Sequence, residues 1–399
     1  MNPRILKVPK GWSKSHVGSE FIIENNFREP LSSEERKKMR GPYPYYGPTR
    51  AIDSLDHFRV EGKYALIGED GDHFLKFNKQ DMTQLVSGKF NVNNHAHLVK
   101  GNGSNTTEWF YEYFRSRALT PYLTRQGAGR YKLNKSALNE LPILIPPRNE
   151  QEKIHLHISN WDKAISIVSE LIEKKSILKK GLMQQLLSGT LRFPEYKDDW
   201  GKFKLREITE RVTRKNNIHN TNVLTISAQM GLVSQQEYYN KSVASKDLST
   251  YYLLKKGDFA YNKSYSTGYP YGAIKRLDSY DAGVTSSLYI CFEVSSPKCD
   301  KDFFAHFFEA GMLNHGIYRI AQEGARNHGL LNMSIHDFFN IEITIPNLQE
   351  QQKIATTLNI VDKELQILNQ KLDALKKQKK GLMQQLLTGK IRVKIKDVP

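Results

Sequence analysis

Aromatic, amide and basic side chains crowd into a few glycine-bounded stretches of this chain, and together they suit the reading of base edges. Gly41-Pro-Tyr-Pro-Tyr-Tyr-Gly47 supplies the flat rings of Tyr45 and Tyr46, and Arg50 follows with a guanidinium. Asn91-Val-Asn-Asn-His95-Ala-His97 adds the amide of Asn94 and the imidazole of His95. An Asn side chain can pair bidentately with adenine, and Arg or Lys with guanine. In the second half, Tyr261-Asn-Lys-Ser-Tyr265 and Gly268-Tyr-Pro-Tyr-Gly272 place Asn262, Lys263, Tyr265 and Tyr269 in the same kind of setting. The best matched pair across the halves is Arg130-Tyr131-Lys132 and Arg326-Asn327-His328, so Arg130, Lys132, Arg326, Asn327 and His328 complete the candidate DNA-binding set. Lys76, Arg125, Lys275 and Arg276 suit phosphates, contacts that position without specifying. Tyrosines in such loops also serve as packing.

Signatures of catalysis are missing from the sequence. Gly62-Lys63 and Gly88-Lys89 run into Tyr64 and Phe90, so neither is a phosphate loop. No H-E-x-x-H, paired C-x-x-C or G-x-S-x-G pattern occurs. The Pro146-Pro147 pair lacks the preceding Asn or Asp of an amino-methyltransferase loop, and Glu173-Lys-Lys175 has no upstream Pro-Asp. No catalytic residue, metal site or cofactor is expected in this chain.

Charge agrees with a polyanionic partner. Lys and Arg number 59 against 42 Asp and Glu, a net charge of +17. The excess lies mostly in the first 150 residues and the last 50, and residues 193–349 are close to neutral. Any binding by that segment must therefore use a local cluster. Two cysteines, Cys291 and Cys299, make no disulfide framework. The first residues lack the apolar core of a signal peptide, and no apolar stretch is long enough for a membrane span, so a cytoplasmic protein is expected.

The elements that position these loops repeat. Ile145-Pro146 followed by Glu150-Gln151-Glu152-Lys153-Ile154 returns 200 residues later as Ile345-Pro346 and Glu350-Gln351-Gln352-Lys353-Ile354. Gly181-Leu-Met-Gln-Gln-Leu-Leu-Ser-Gly189 returns at the same offset as Gly381-Leu-Met-Gln-Gln-Leu-Leu-Thr-Gly389. Between these motifs, apolar residues step by four and three in both copies, from Ile154 to Leu186 and from Ile354 to Leu386, which predicts two heptad helices. Each would span roughly 57 Å at 1.5 Å per residue. Two equal seams pair most simply with each other, preferably antiparallel; packing of each on its own neighbouring domain is the alternative. Lysines 174, 175, 179, 180, 376, 377, 379 and 380 are read as a solvated face.

Ahead of each helix lies a segment of β-type runs with one helical patch, near residues 108–117 and 302–311. The runs include residues 64–67, 251–254, 288–292 and 341–345. The expected architecture is α+β: small α/β domains at residues 1–147 and 193–347, alternating with helices at 148–192 and 348–399. The two domains share their ends and differ in their middles.

This arrangement resembles the specificity subunits of type I restriction-modification systems, over essentially all 399 residues. The resemblance rests on the two repeated motifs, together with Tyr43-Pro-Tyr-Tyr-Gly47 and Gly324-Ala-Arg326. It implies that residues 1–147 and 193–347 are target-recognition domains, each reading half of a gapped double-stranded DNA site, and that the helices are spacers setting the gap. Half-sites read on one face would lie one helical turn, about 34–36 Å, apart or further. It further implies two modification subunits that methylate adenine with S-adenosylmethionine, and two restriction subunits that use ATP and Mg2+. The competing reading is a non-catalytic coiled-coil adaptor that gathers proteins without sequence-specific DNA binding.

Overall fold

A computed structural model describes residues 8–126, 130–239, 247–323 and 331–394. The chain divides into two compact units. Residues 1–169 and 371–399 form unit 1, and residues 170–370 form unit 2.

Unit 1 begins with β1 (Ser13–His16), the short helix α1 (Val17–Glu20), β2 (Phe21–Ile23) and α2 (Ser33–Lys38). Ser32 caps α2 in a reciprocal box with Glu35, satisfying two otherwise orphaned donors. There follow β3 (Arg40–Tyr46), β4 (Ala51–Leu55), β5 (Val60–Gly68), β6 (Thr83–Val92) and β7 (Ala96–Gly101). These strands form a six-stranded sheet in the order β2-β7-β5-β6-β3-β4, with one parallel pair, β3 and β6. Helix α3 (Thr107–Phe114), capped by the Thr106 hydroxyl, buries Trp109, Phe110, Tyr113 and Phe114 in the domain core. Strands β8 (Thr124–Gln126) and β9 (Arg130–Lys132) make a hairpin. Helix α4 (Lys135–Asn139) and β10 (Pro142–Ile145), paired with β1, lead into α5 (Arg148–Leu187), an unbroken helix of 40 residues.

Unit 2 repeats the frame. Its β11 (Gly201–Lys204), α6 (Leu205–Ile208) and β12 (Thr209–Arg211) precede a divergent middle. That middle holds β13 (Leu224–Ser227), β14 (Gly231–Ser234), α7 (Gln235–Tyr239), β15 (Tyr252–Lys255), β16 (Phe259–Asn262), β17 (Ala273–Arg276), β18 (Ala282–Thr285) and β19 (Ile290–Val294). A four-stranded sheet in the order β12-β19-β16-β17 carries the core against α8 (Lys301–Glu309). Helix α9 (Asn314–Ile320), the paired strands β20 (Gln322–Glu323) and β21 (Leu331–Asn332), α10 (Ile335–Phe339) and β22 (Glu342–Ile345), paired with β11, precede α11 (Leu348–Leu386). The β-runs foreseen from sequence fall on β5, β15, β19 and β22, with Tyr251, Leu288, Tyr289 and Ile341 just ahead of their strands and Leu288 76% exposed.

The two long helices pair antiparallel. In unit 1 Asp162 of α5 meets Lys379 of α11 at 2.5 Å, and in unit 2 Lys179 of α5 meets Asp362 of α11 at 2.5 Å. Lys175 reaches Glu364 as well. Three of the lysines read as a solvated face therefore bridge the helices, their ammonium groups drawn to acids of the opposite helix. The helix ends go further and enter the domain cores. Ile154 and Ile158 of α5 and Met383 and Leu386 of α11 share one cluster with Trp12, Trp109 and Phe110. Met183, Leu186, Ile354 and Leu358 do the same with Phe292, Phe303 and Phe304 in unit 2. Both packing schemes weighed from sequence thus coexist along one seam.

Matching clasps lock these ends. Glu150 is fully buried and accepts from Nε and Nη2 of Arg392 and from Trp12 Nε1. Glu350 is 1% exposed and accepts from Arg192 at 2.7 and 2.9 Å. Gln151 donates to the Pro146 carbonyl and accepts from the Thr106 amide; Gln351 repeats this with Pro346 and Asp300. The repeated Glu-Gln pair is therefore an anchor between helix, domain and the end of the other helix. Gly189 and Gly389 follow the helix ends with φ of +73° and +65°, the left-handed region where glycine is unstrained. Each lies against a tryptophan, Trp200 and Trp12 respectively.

Candidate nucleic-acid interface

In unit 1 the sheet edge gathers several loops through main-chain bonds. The Asn93 amide donates to the Tyr46 carbonyl, and the Glu69 amide to the His95 carbonyl. Leu133 donates to Glu69, and Gly71 to Tyr131, which fastens the β8–β9 hairpin to the same place. The Gly47 amide reaches the Arg50 carbonyl and closes the turn after β3. Tyr46, Arg50, Asn94, His95 and Lys132 therefore share one edge.

Their side chains differ in freedom. Arg50, Asn94 and His95 are exposed. Tyr46 is half-buried, edge-on to Phe90. Lys132 is partly exposed, 3.7 Å from Glu69. Arg125 lies over the Tyr131 ring and donates to its hydroxyl at 2.6 Å. Arg130 lies in β9, opposite Gln126. Tyr45, expected among the DNA contacts, does not reach the surface. It is 0% exposed, and its hydroxyl donates to the Glu29 carbonyl and accepts from the Leu31 amide. Burial also raises its pKa. Strand alternation turns neighbouring tyrosines to opposite faces, so Tyr45 is a core residue while Tyr46 reaches the edge.

Beneath this surface sits His97. Its Nε2 donates to the Leu133 carbonyl at 2.7 Å, and its Nδ1 accepts from Asn25 at 2.8 Å. Burial holds its pKa below the usual value, in keeping with this neutral tautomer. Arg28 binds Glu69 and the Asn94 carbonyl, drawing two loops together.

In unit 2, Asn262 ends β16 and accepts from the Ser264 amide, and the Lys263 carbonyl accepts from Leu331. Tyr265 follows, 62% exposed. Tyr269 is held instead of free. Its hydroxyl donates to Glu309 at 2.6 Å, Lys275 donates to that hydroxyl, and Lys275 also pairs with Glu309. Burial and the Glu309 bond raise the Tyr269 pKa. Lys275, read as a phosphate contact, is 8% exposed and spent on this triad, because the divergent loop needs an anchor on α8. Arg276 likewise pairs with Asp278 and Asp302. Arg326, Asn327 and His328 lie outside the described residues.

Among the described residues no cluster of His, Cys, Asp and Glu could hold a metal, and no helix is long and apolar enough to cross a membrane. What unites the two units is a domain closed by the same helix clasp. The family model of the type I restriction modification DNA specificity domain matches twice, at residues 9–174 and 197–377. The chain belongs to that family.

Relatives agree over almost the whole length. The chain is 23% identical to the type I restriction enzyme MjaVIII specificity subunit of Methanocaldococcus jannaschii, covering 98% of this chain and 95% of that one. It is 24% identical to the putative type I restriction enzyme specificity subunit S.HindORF215P of Haemophilus influenzae, covering 84% of each. The fold resembles the crystal structure of a type I restriction-modification system S subunit from M. genitalium, with a TM-score of 0.61 at 15% identity over 95% of this chain and 99% of that one.

Within this type I specificity fold, sequence reasoning passed over Arg28, Glu69, Asp70 and the Lys275–Glu309 pair. Arg28, Glu69 and Asp70 lie in unremarkable stretches, far from the loops they tie down. Only the long-range pairing of strands brings them to the edge.

Proposed function

We propose that the chain is the DNA-specificity subunit of a type I restriction-modification complex, each unit reading one half of a bipartite, gapped double-stranded site. The observation that carries this is the doubled family match, each copy falling on a domain closed by the same clasp, with divergent loops gathered at one edge in unit 1. Arg50, Asn94, His95 and Tyr265, which are exposed, and Tyr46 and Lys132, which are partly so, supply base-edge and phosphate contacts. The paired helices set the gap between half-sites.

The helices also offer the partner surface. Leu156, Ile167, Leu171, Ile177 and Leu178 of α5 and Ile360 and Ile367 of α11 are exposed aliphatics that docked partners would cover. Two modification subunits docked there would bring S-adenosylmethionine-dependent adenine methylation to the bound site. Two restriction subunits would add ATP- and Mg2+-dependent cleavage. This chain then contributes recognition and no chemistry, working in the cytoplasm beside the DNA. A coiled-coil adaptor would have no use for two divergent domains.

Adenine-methylation sequencing of DNA from cells carrying this chain and its partner subunits tests the reading. Deleting the chain should erase one gapped motif, and exchanging residues 8–147 for those of a relative should change one half of it. If the motif survives deletion, the proposal fails.

A further inference from the structure

His95 stands apart from the other exposed groups of the unit 1 edge because everything around it is already bonded. Its amide donates to Asn93 Oδ1 at 2.9 Å, and its carbonyl accepts from the Glu69 amide at 2.7 Å. The preceding carbonyl, that of Asn94, accepts from Arg28 at 3.0 Å. The turn is thus fixed on both sides before any ligand arrives, which lowers the entropy cost of contact. The ring is fixed as well. Its Nδ1 lies 2.9 and 3.1 Å from the two Asp70 oxygens. A carboxylate only accepts, so Nδ1 carries the proton and donates. In the neutral ring Nε2 is then a lone-pair acceptor, and it has no protein partner among the described residues. Half of the side chain is open to solvent, at 49%. Asp70 is itself held, since residue 70 bridges residue 132 of β9.

A carboxylate at this edge is unsuited to a phosphate, which it would repel. It is suited to orienting a neighbour that reads a base. We infer that Asp70 and His95 form a specificity-determining pair: His95 Nε2 accepts a hydrogen bond from an exocyclic amine, adenine N6 or cytosine N4, in the major groove, and Asp70 positions it. These amines are the donors the major groove displays. His95 is the contact and Asp70 is a positioning residue. The inference rests on the DNA-reading function proposed above and names the group it recognises.

The test is adenine-methylation sequencing with the full complex, comparing the wild type with His95→Ala, His95→Gln, Asp70→Ala and Asp70→Asn. Absence of any chain-dependent motif in the wild type would sink the DNA-reading function itself. Given a wild-type motif, His95→Ala should relax one base pair of one half-site, by roughly five- to a hundredfold in discrimination, leaving the other half intact. Asp70→Ala should relax the same position, because the ring is no longer oriented. Asp70→Asn should largely restore selectivity, since its amide oxygen still accepts from Nδ1. His95→Gln should do so too, its amide oxygen standing where Nε2 was. A uniform fall in methylation with an unchanged motif would mean a merely structural role and overturn the inference. If His95→Ala abolishes methylation altogether, His95→Gln decides: recovery of the wild-type motif supports the inference, and failure to recover it overturns it.

Discussion

The carboxylate of Glu150 accepts two hydrogen bonds of 2.6 Å from Arg392, a residue 242 positions further along the chain. Trp12 Nε1 adds a third at 2.9 Å. Glu150 is removed from water while the Arg392 guanidinium stays 39% exposed, so losing the arginine leaves a buried carboxylate uncompensated. Arg392→Ala should therefore cost about 1–3 kcal/mol, the solvent at the guanidinium and the remaining Trp12 bond keeping it below a fully buried pair, measured by chemical denaturation. Arg192→Ala should also destabilise, by leaving the buried Glu350 carboxylate without its guanidinium. Glu150→Gln should cost less than Glu150→Ala, since it keeps acceptor capacity for Trp12.

Asp162 gives a pH signature. Burial pushes its carboxyl up, but hydrogen bonds from Arg115 and Lys379 outweigh this and hold it below 3.8. A folded value below the unfolded one means stabilisation that is complete above the unfolded value and lost as pH falls through the folded one. The stability gap between the wild type and Asp162→Asn should be constant from neutral pH down to about pH 5 and shrink below pH 4. Urea unfolding across that range checks it.

Tyr45 and Tyr265 should separate packing from contact. Tyr45→Phe removes two internal hydrogen bonds and should cost about 1–2 kcal/mol without changing the methylated motif. Tyr265→Ala should leave the melting temperature nearly unchanged and weaken DNA binding.

Arg50 and Lys132 should behave as backbone contacts. Replacing either by Ala should weaken binding about equally for all sequences and lower the slope of log affinity against log salt by about 1. Filter binding or fluorescence anisotropy at several salt concentrations reads this. A change of base preference instead would place the side chain at a base edge.

Gly272 sits at φ +79°, and a Cβ there would lie 2.2 Å from the Asn262 carbonyl oxygen. Gly272→Ala should displace the Tyr265–Tyr269 loop. A stability loss of about 1–3 kcal/mol should accompany relaxed reading by unit 2 alone.

The helices were legible in the sequence because period is local information: Ile154 to Leu186 and Ile354 to Leu386 write their own geometry. The repeat at a fixed offset likewise marked Glu150 and Glu350, though not as the buried acceptors of Arg392 and Arg192. The reading edge was legible only in part. Tyr46, Asn94 and His95 were singled out as loop residues and stand exposed or half-exposed at one edge. Tyr45 was misplaced because two adjacent tyrosines give no hint of which faces inward. Lys275 and Lys179 looked like surface charges. Their partners, Glu309 and Asp362, come from distant elements, and lysine composition alone does not say whether an acid waits opposite.

One consequence of the shared clasps concerns synthesis. Unit 2 is continuous from residue 170 to residue 370, so all its parts leave the ribosome together. Unit 1 is not: Ile154 and Ile158 must wait for Met383 and Leu386 before their common core closes. At about 5–20 residues per second that interval is roughly 10–40 s. During it, the second domain can complete its fold while the first keeps an open apolar seam. Unit 2, begun second, is thus the first able to finish folding, and the N-terminal domain of the nascent chain is the one that needs protection.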